Sequence, residues 1–362
     1  MNEATIQHLF FSYFLGIGPI TFDRLISHFG SIARLYQAKN DEIVPFLKGS
    51  LKQEFIAFRK RFDPEKEYLR LQKKGIQVIC RSDKMYPSQF HNLVDPPICI
   101  YAKGNLANYD YERDNYFAIV GTRTPTDYGK QVTTKFSSEL AQAGFIIVSG
   151  LAKGIDAYAH KGALSVGGRT IAFLGCGVDV IYPSQNAQLY KDILAHDGLI
   201  ISEAPPDMLV QKGLFVSRNR LISGLSKGVL VTEGLKDSGS LITARCALEQ
   251  GKDVFAPPAP ITSEQSAAPN LLLKEGAKMV ISITDILEEF NMQYSSISKE
   301  SIMASLSPEE QKVYLLLSQQ PQTSDELALL LGIPIHLVLT SISGMELKGV
   351  IAKGSGSKYF LY

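Results

Sequence analysis

The 362 residues read as an α/β protein whose central portion is a doubly wound parallel sheet. Two observations carry that reading. Six short apolar runs recur along the middle of the chain: YFAIVG (116–121), FIIVSG (145–150), TIAFLG (170–175), LIISE (199–203), GVLVTEG (228–234) and KDVFAPP (252–258). Several end in glycine or a small polar residue, as a strand does where it leaves the core for a turn. Between them lie segments of helical spacing such as GKQVTTKFSSELAQAG and DAYAHKGALSVGG. Strands alternating with helices imply right-handed crossovers and a sheet covered on both faces.

Four regions follow in order. In residues 1–62, HLFFSYFLGIGPITFDRLISHFGSIARLYQA has helical spacing broken by Gly16, Gly18 and Pro19, which predicts helix, tight turn, helix. Eight Lys or Arg against five Asp or Glu give this region +3. Residues 63–290 hold the sheet, and the serine-rich residues 291–307 read as a linker. Residues 308–362 fit three short helices followed by a two-stranded hairpin turning at GSGS, a winged-helix pattern. That last region counts to −1, from four lysines against five acids, which is poor for a major-groove reader. Lys348, Lys353 and Lys358 do gather near the wing, so weak duplex contact and partner docking both stay open.

With 45% hydrophobic residues the chain can bury a full core, and a net charge of +1 argues against a uniformly basic protein. The first thirty residues lack the basic start, apolar run and small-residue site of an export signal, and no apolar stretch reaches the roughly 18 residues that span a bilayer. A cytoplasmic protein without a membrane partner is expected. Cys80, Cys99, Cys176 and Cys246 show no CxxC spacing, and the six histidines show no HxxxH or HxH pattern. Neither a disulfide frame nor a metal centre is expected.

Ligands of such a sheet bind beyond the carboxyl ends of its strands. Three loops there pair glycine, which lets backbone amides approach an anion, with a hydroxyl or a cation: Gly121, Thr122 and Arg123; Gly150, Lys153 and Gly154; Ser238, Gly239 and Ser240. This is phosphate-binding chemistry, although the same glycines also suit any tight strand-to-helix turn. Neither GxGxxG nor GxxxxGK[ST] occurs in the right context, so dinucleotide binding and nucleotide triphosphate hydrolysis lose ground and no cofactor is expected. No acid stands between Asp207 and Glu233, while Lys212, Arg218, Arg220 and Lys227 give that window +4. FVSRNRLISGLS (215–226) reads as a connection crossing the sheet, with Leu221, Ile222 and Leu225 packed down and the cations held outward. Cations spaced along a groove suit successive phosphates, and Phe215 and Tyr182 offer faces to unpaired bases, with core packing the other reading of Phe215. Asp156, His160 and Glu233 are acid–base candidates, but no GxSxG elbow accompanies them, and Asp156 also fits a first-turn carboxylate on a helix dipole. Binding rather than turnover is expected.

VGTR (120–123), SGLAKGIDAYAH (149–160), LGCGVDVIYP (174–183), ISEAPP (201–206), SRNRLISGLS (217–226), SGSLITARCALEQGKDVFA (238–256) and NLLLKEGA (270–277) resemble the DNA-processing protein A family, DprA, also called Smf. These motifs cover most of residues 80–285 in the family's order. The resemblance implies an extended Rossmann-like domain that binds single-stranded DNA, forms a homodimer and hands the strand to the RecA recombinase in natural transformation, without catalytic turnover. Phosphate contacts would fall on Gly121, Thr122, Arg123, Gly150, Lys153, Lys212, Arg218, Asn219 and Arg220, with Phe215 against a base. The three-residue segment Ser238, Gly239 and Ser240 is expected to join them.

Residues 15–31 are similar to a SAM or helix-hairpin-helix unit, although Pro19 removes one amide from its turn. Val216 stands where a proline is usual, Gly234 replaces an alanine, and APPAP (256–260) replaces an alanine, apolar residue, proline, glycine turn, departures that touch loop shape more than charge. Leu271, Leu272 and Leu273 are candidates for a dimer surface. TEGLKDSGSLITA faintly resembles the loop of nucleoside-monophosphate phosphoribohydrolases, which keeps a nucleotide N-glycosidase as the alternative, and a transcription regulator built on the last region is a third reading.

Overall fold

The computed structural model describes residues 2–292, 303, 305–348, 350–354 and 357–361. Most of the serine-rich linker, residues 355–356 of the hairpin turn and the side chain of Lys212 lie outside the described residues. The chain folds as two units, Met1–Ile286 and Leu287–Tyr362.

In the first unit, α1 (Glu3–Tyr13) starts behind Asn2, whose side chain accepts from the Ala4 amide. The predicted turn follows, and Pro19 opens α2 (Pro19–Phe29), where its missing N–H is no loss. Next come α3 (Ile32–Gln37), α4 (Asn40–Ile43), α5 (Leu51–Arg61) and α6 (Pro64–Lys73). Phe10, Phe14, Phe55 and Phe58 from these helices form a core shared with Cys80 and Cys99 of the sheet. Those two cysteines face each other across β1 (Gln77–Cys80) and β2 (Cys99–Lys103), an antiparallel pair that the sequence pattern does not predict, and both are free thiols. A short helix, α7 (Ser88–His91), lies between these strands.

The six apolar runs form β3 (Asn115–Val120), β4 (Phe145–Ser149), β5 (Thr170–Leu174), β6 (Leu199–Ser202), β7 (Gly228–Val231) and β8 (Asp253–Ala256), with β9 (Lys278–Met279) at the edge. The sheet order is β1-β2-β6-β5-β4-β3-β7-β8-β9, parallel from β6 onward and antiparallel at β1 and β2. The crossovers are α8 (Asp127–Gln142), α9 (Ile155–Ser165), α10 (Ala187–Ala195), α11 (Lys212–Leu225), α12 (Gly239–Glu249) and α13 (Ala267–Lys274), and α14 (Ile283–Glu289) follows β9. Alternation along the strands serves both faces, as a buried parallel sheet requires. Tyr116, Ala118 and Val120 share a core with Leu221 and Ile222 of α11, while Ala172, Leu174 and Ile200 pack with Leu9 of α1 and Leu71 of α6. Leu272 is buried and Leu271 and Leu273 lean on the same core, so these leucines serve the unit's own packing.

In the second unit, α15 (Pro308–Leu317), α16 (Ser324–Leu331) and α17 (Ile335–Leu347) surround Val313, Leu327, Val338 and Ile342. Ser307 with Glu310 and Thr323 with Glu326 close capping boxes on α15 and α16. A sheet of β10 (Gln322–Thr323), β11 (Ile351–Lys353) and β12 (Lys358–Leu361), ordered β10-β12-β11, completes the winged helix with one strand more than the predicted hairpin. Lys348 is paired with Glu310 at 2.5 Å.

Main-chain ties hold the carboxyl rim of the large sheet. The Thr122 amide donates to the Glu233 carbonyl at 2.8 Å, and the Ile155 amide donates to the Thr122 carbonyl at 3.0 Å, joining the loops after β3, β4 and β7. Gly154 makes this possible: its φ is +80°, and a Cβ there would strike the Thr122 carbonyl. Gly154→Ala is therefore expected to destabilise the first unit by about 2 kcal/mol or more, read as a lower midpoint in thermal or denaturant unfolding.

Candidate nucleic-acid interface

The segment predicted as a connection is the fourteen-residue helix α11, and its periodicity decides where the cations point. Arg218, Leu221, Ile222 and Leu225 recur at helical spacing on one stripe, and all four are buried. The expectation that the arginines face outward is thus corrected: Arg218 is 7% and Arg220 9% exposed. Their surroundings differ. Arg220 donates all five of its N–H groups, through Nε to Asp95 Oδ1 at 2.6 Å, through Nη1 and Nη2 to the two oxygens of Glu203 at 2.9 Å each, and to the Ser217 and Asp95 carbonyls. Burial works against its charge, and the two carboxylates overcome that, so its pKa is raised. It fastens α11 to the end of β6 and to the segment before β2.

Arg218 lies against the backbone at Gly150, where any Cβ would collide with its guanidinium. Its Nη1 donates to the Phe173 carbonyl at 2.6 Å, while its buried Nε has no hydrogen-bond partner. Burial pulls its pKa down and Asp156 acts through space to restore it, without a direct ion pair among the described residues. Asp156 is itself buried, its pKa raised by desolvation against the opposing pull of Arg218, and it accepts from the Ala152 amide at 3.3 Å.

Above Arg218 opens a cavity of about 210 Å³ lined by Arg123, Lys153, Gly175, Tyr182, Phe215 and Arg218 among others. Arg123 and Lys153 are exposed on its rim. The Arg123 guanidinium lies 5.7 Å from the Phe215 ring centre, and Tyr182 meets the same ring at 5.7 Å and 48°. Phe215 is half-buried and Tyr182 is 42% exposed, so the two rings form a wall rather than a sealed core contact. The structure thus brings together Arg123, Gly150, Lys153, Phe215 and Arg218. Thr122 is buried beneath the rim, its hydroxyl accepting from the Thr124 amide at 3.2 Å, and Gly121 beside it is half-buried. Asn219 turns aside and donates to the Gly239 carbonyl at 3.3 Å. Ser238, Gly239 and Ser240 do not line the cavity: Ser238 caps α12, accepting from the Ser240 amide. Gly175, which ends the run TIAFLG and stands in LGCGVDVIYP, also lines the cavity although it is not among the expected contacts.

The acid–base candidates are occupied. Glu233 is 1% exposed and its two oxygens accept from the Thr126 hydroxyl and amide at 2.5 and 2.9 Å. His160 is fully buried, with Nε2 on the Gly150 carbonyl and Nδ1 2.6 Å from the Thr170 hydroxyl. A carbonyl only accepts, so Nε2 of the neutral ring carries the proton; the Thr170 hydroxyl beside Nδ1 donates to the Ile147 carbonyl at 2.7 Å. Burial lowers the His160 pKa to about 4. Among the described residues no three His, Cys, Asp or Glu side chains converge on a metal position.

Two outcomes follow from these partners. Arg220→Ala leaves Asp95 and Glu203 without their cation and is expected to destabilise by about 3–5 kcal/mol, whereas Arg123→Ala leaves the unfolding midpoint in place. For His160, the folded value lies below the ordinary 6.5, so its contribution is whole above pH 6.5 and is lost as pH falls through about 4. Denaturant unfolding across that range is expected to show a steeper fall in wild type than in His160→Gln.

The chain is similar to known proteins along most of its length. A family model described as DNA recombination-mediator protein A matches residues 77–291, and one described as DprA winged helix domain matches residues 299–357. The DNA processing protein DprA of Bacillus subtilis is 44% identical over 61% of this chain and 75% of its own length. Protein Smf of a Synechocystis species is 32% identical over 99% of both chains. An X-ray structure of DprA from Streptococcus pneumoniae superposes with a TM-score of 0.69 at 33% identity, covering 81% of this chain and 99% of that one. A Helicobacter pylori DprA structure, reported for its single-stranded DNA binding mode, gives 0.53 at 33% identity over 60% of this chain and 97% of that one. A family match across more than half the chain, with the winged helix in its expected place, means that the chain belongs to the DNA recombination-mediator protein A family, the DprA/Smf proteins.

Proposed function

We propose that this protein binds single-stranded DNA without turning it over, protects incoming strands, and loads the RecA recombinase during natural transformation and recombination. It acts in the cytoplasm as a homodimer. The observation that carries the reading is the cavity with two exposed cations on its rim, an aromatic wall, and a buried guanidinium in its floor. A wall of rings suits unpaired bases, and rim cations suit the phosphates between them. The Helicobacter pylori relative's reported binding mode supports the same polymer.

In this reading Arg123 and Lys153 take phosphates, with Lys212 and the glycine loops at Gly121, Thr122 and Gly150 assisting. Phe215 stacks on a base, and Arg218 lends its charge from below. Asn219 with Ser238, Gly239 and Ser240 would extend the path toward α12. Arg220 keeps its two carboxylates and takes no phosphate. The nucleotide N-glycosidase alternative loses support, since Glu233 engages both oxygens on Thr126.

The test is binding of an unpaired oligothymidine across a salt series. Affinity is expected to fall steeply with salt, and Arg123→Ala to lower the slope of log K against log salt by about 0.7, the increment for one single-strand phosphate. Phe215→Ala is expected to weaken binding by about 1–3 kcal/mol at an unchanged slope. Salt-independent binding contradicts the proposal, as does release of free base from nucleoside monophosphates.

A further inference from the structure

A second cavity, of about 230 Å³, lies on the other side of the first turn of α11. Leu174, Gly175 and Arg218 belong to both cavities, so they share one floor. Phe215 faces the first and Leu214 and Ser217 face the second. The ridge between them sits low because Gly175 has no side chain: a Cβ there would come within 2.8 Å of the Phe215 ring. The far wall comes from the turn between α1 and α2, through Leu15, Ile17 and Pro19, with Met208 beside it.

The chemistry of this second cavity differs from that of the first. Its walls are mainly aliphatic, and its charged lining residues besides Arg218 are Asp95, Glu203 and Arg220, which satisfy one another. Two carboxylates disfavour a phosphate there. A flat, neutral ring suits the apolar walls, with the Arg218 side chain in the floor that the two cavities share. The volume is below the about 300–1,000 Å³ of clefts for drug-sized ligands, and several times the roughly 30 Å³ share of one water.

We propose that the second cavity receives a nucleobase of the strand held in the first, so that the turn between α1 and α2 is part of the DNA-binding surface. This rests on the single-stranded DNA reading above. The strand crosses the ridge at Phe215, places a base on each side, and leaves its phosphates over the rim cations.

The experiment uses the full chain with oligothymidine carrying 5-iododeoxyuridine, photo-cross-linked and mapped by mass spectrometry, alongside affinities across a salt series. Cross-links are expected both at Phe215 or Tyr182 and at Met208 or residues 15–19. Leu15→Trp, at a position 61% exposed and so tolerant of change, fills the mouth of the cavity. It is expected to weaken binding about tenfold at an unchanged salt slope, near the lower end of one stacked base, and to abolish the second set of cross-links. Met208→Trp is expected to act alike. Cross-links confined to Phe215 and Tyr182, with Leu15→Trp binding as wild type, overturn this inference and leave the single-stranded DNA reading standing. Salt-independent binding without cross-links at either place overturns both.

Discussion

Thr122 is held from both sides by the main chain, its amide on the Glu233 carbonyl and its carbonyl on the Ile155 amide. Around that tie the rim of the sheet takes shape. It brings the loops after β3, β4 and β7 into register, and Gly154 lets the β4 loop pass close enough to reach it. His160 then pins the Gly150 carbonyl from beneath, and Glu233 fixes the start of α8 through Thr126. Arg123 and Lys153 sit at the tips of loops that have little freedom left. On the proposed reading, cations so mounted would meet a polyanion on loops already ordered, which spares binding part of its entropic cost.

Two arginines two residues apart serve opposite purposes. Arg220 is compensated by paired carboxylates in bidentate geometry, and such a buried network holds a helix in place more than it adds net stability. Arg218 has one carbonyl, a carboxylate acting at a distance, and an unused Nε. A buried charge so sparsely partnered is costly to keep, and on the proposed reading its position under two cavities gives that cost a purpose: the positive potential would be in place before an anionic strand arrives.

Much of this was legible in the chain. The strand runs and the three loops come directly from patterning, since a buried parallel strand is a short apolar run and its exit must bend. The winged helix follows from three short helices and a hairpin turning at GSGS. β1 and β2 are no shorter than several of the parallel strands; they escaped because they stand outside the strand–helix alternation that marks those, joined as an antiparallel pair at the sheet edge. The orientation of Arg218 was available but hidden: its spacing to Leu221, Ile222 and Leu225 puts it on the buried stripe, yet charge argues for solvent, and only tertiary partners decide. Asp95 and Glu203 lie 125 and 17 residues from Arg220, a pairing that no local pattern announces.

The central claim is that a polynucleotide lies along the carboxyl rim over Arg218. A structure of the full chain with oligothymidine bound tests it most directly. The account predicts a base against Phe215, phosphates at Arg123 and Lys153, and Arg220 still on Glu203 and Asp95. A strand lying on another face of the sheet, or an Arg220 that leaves its carboxylates to bind phosphate, contradicts it.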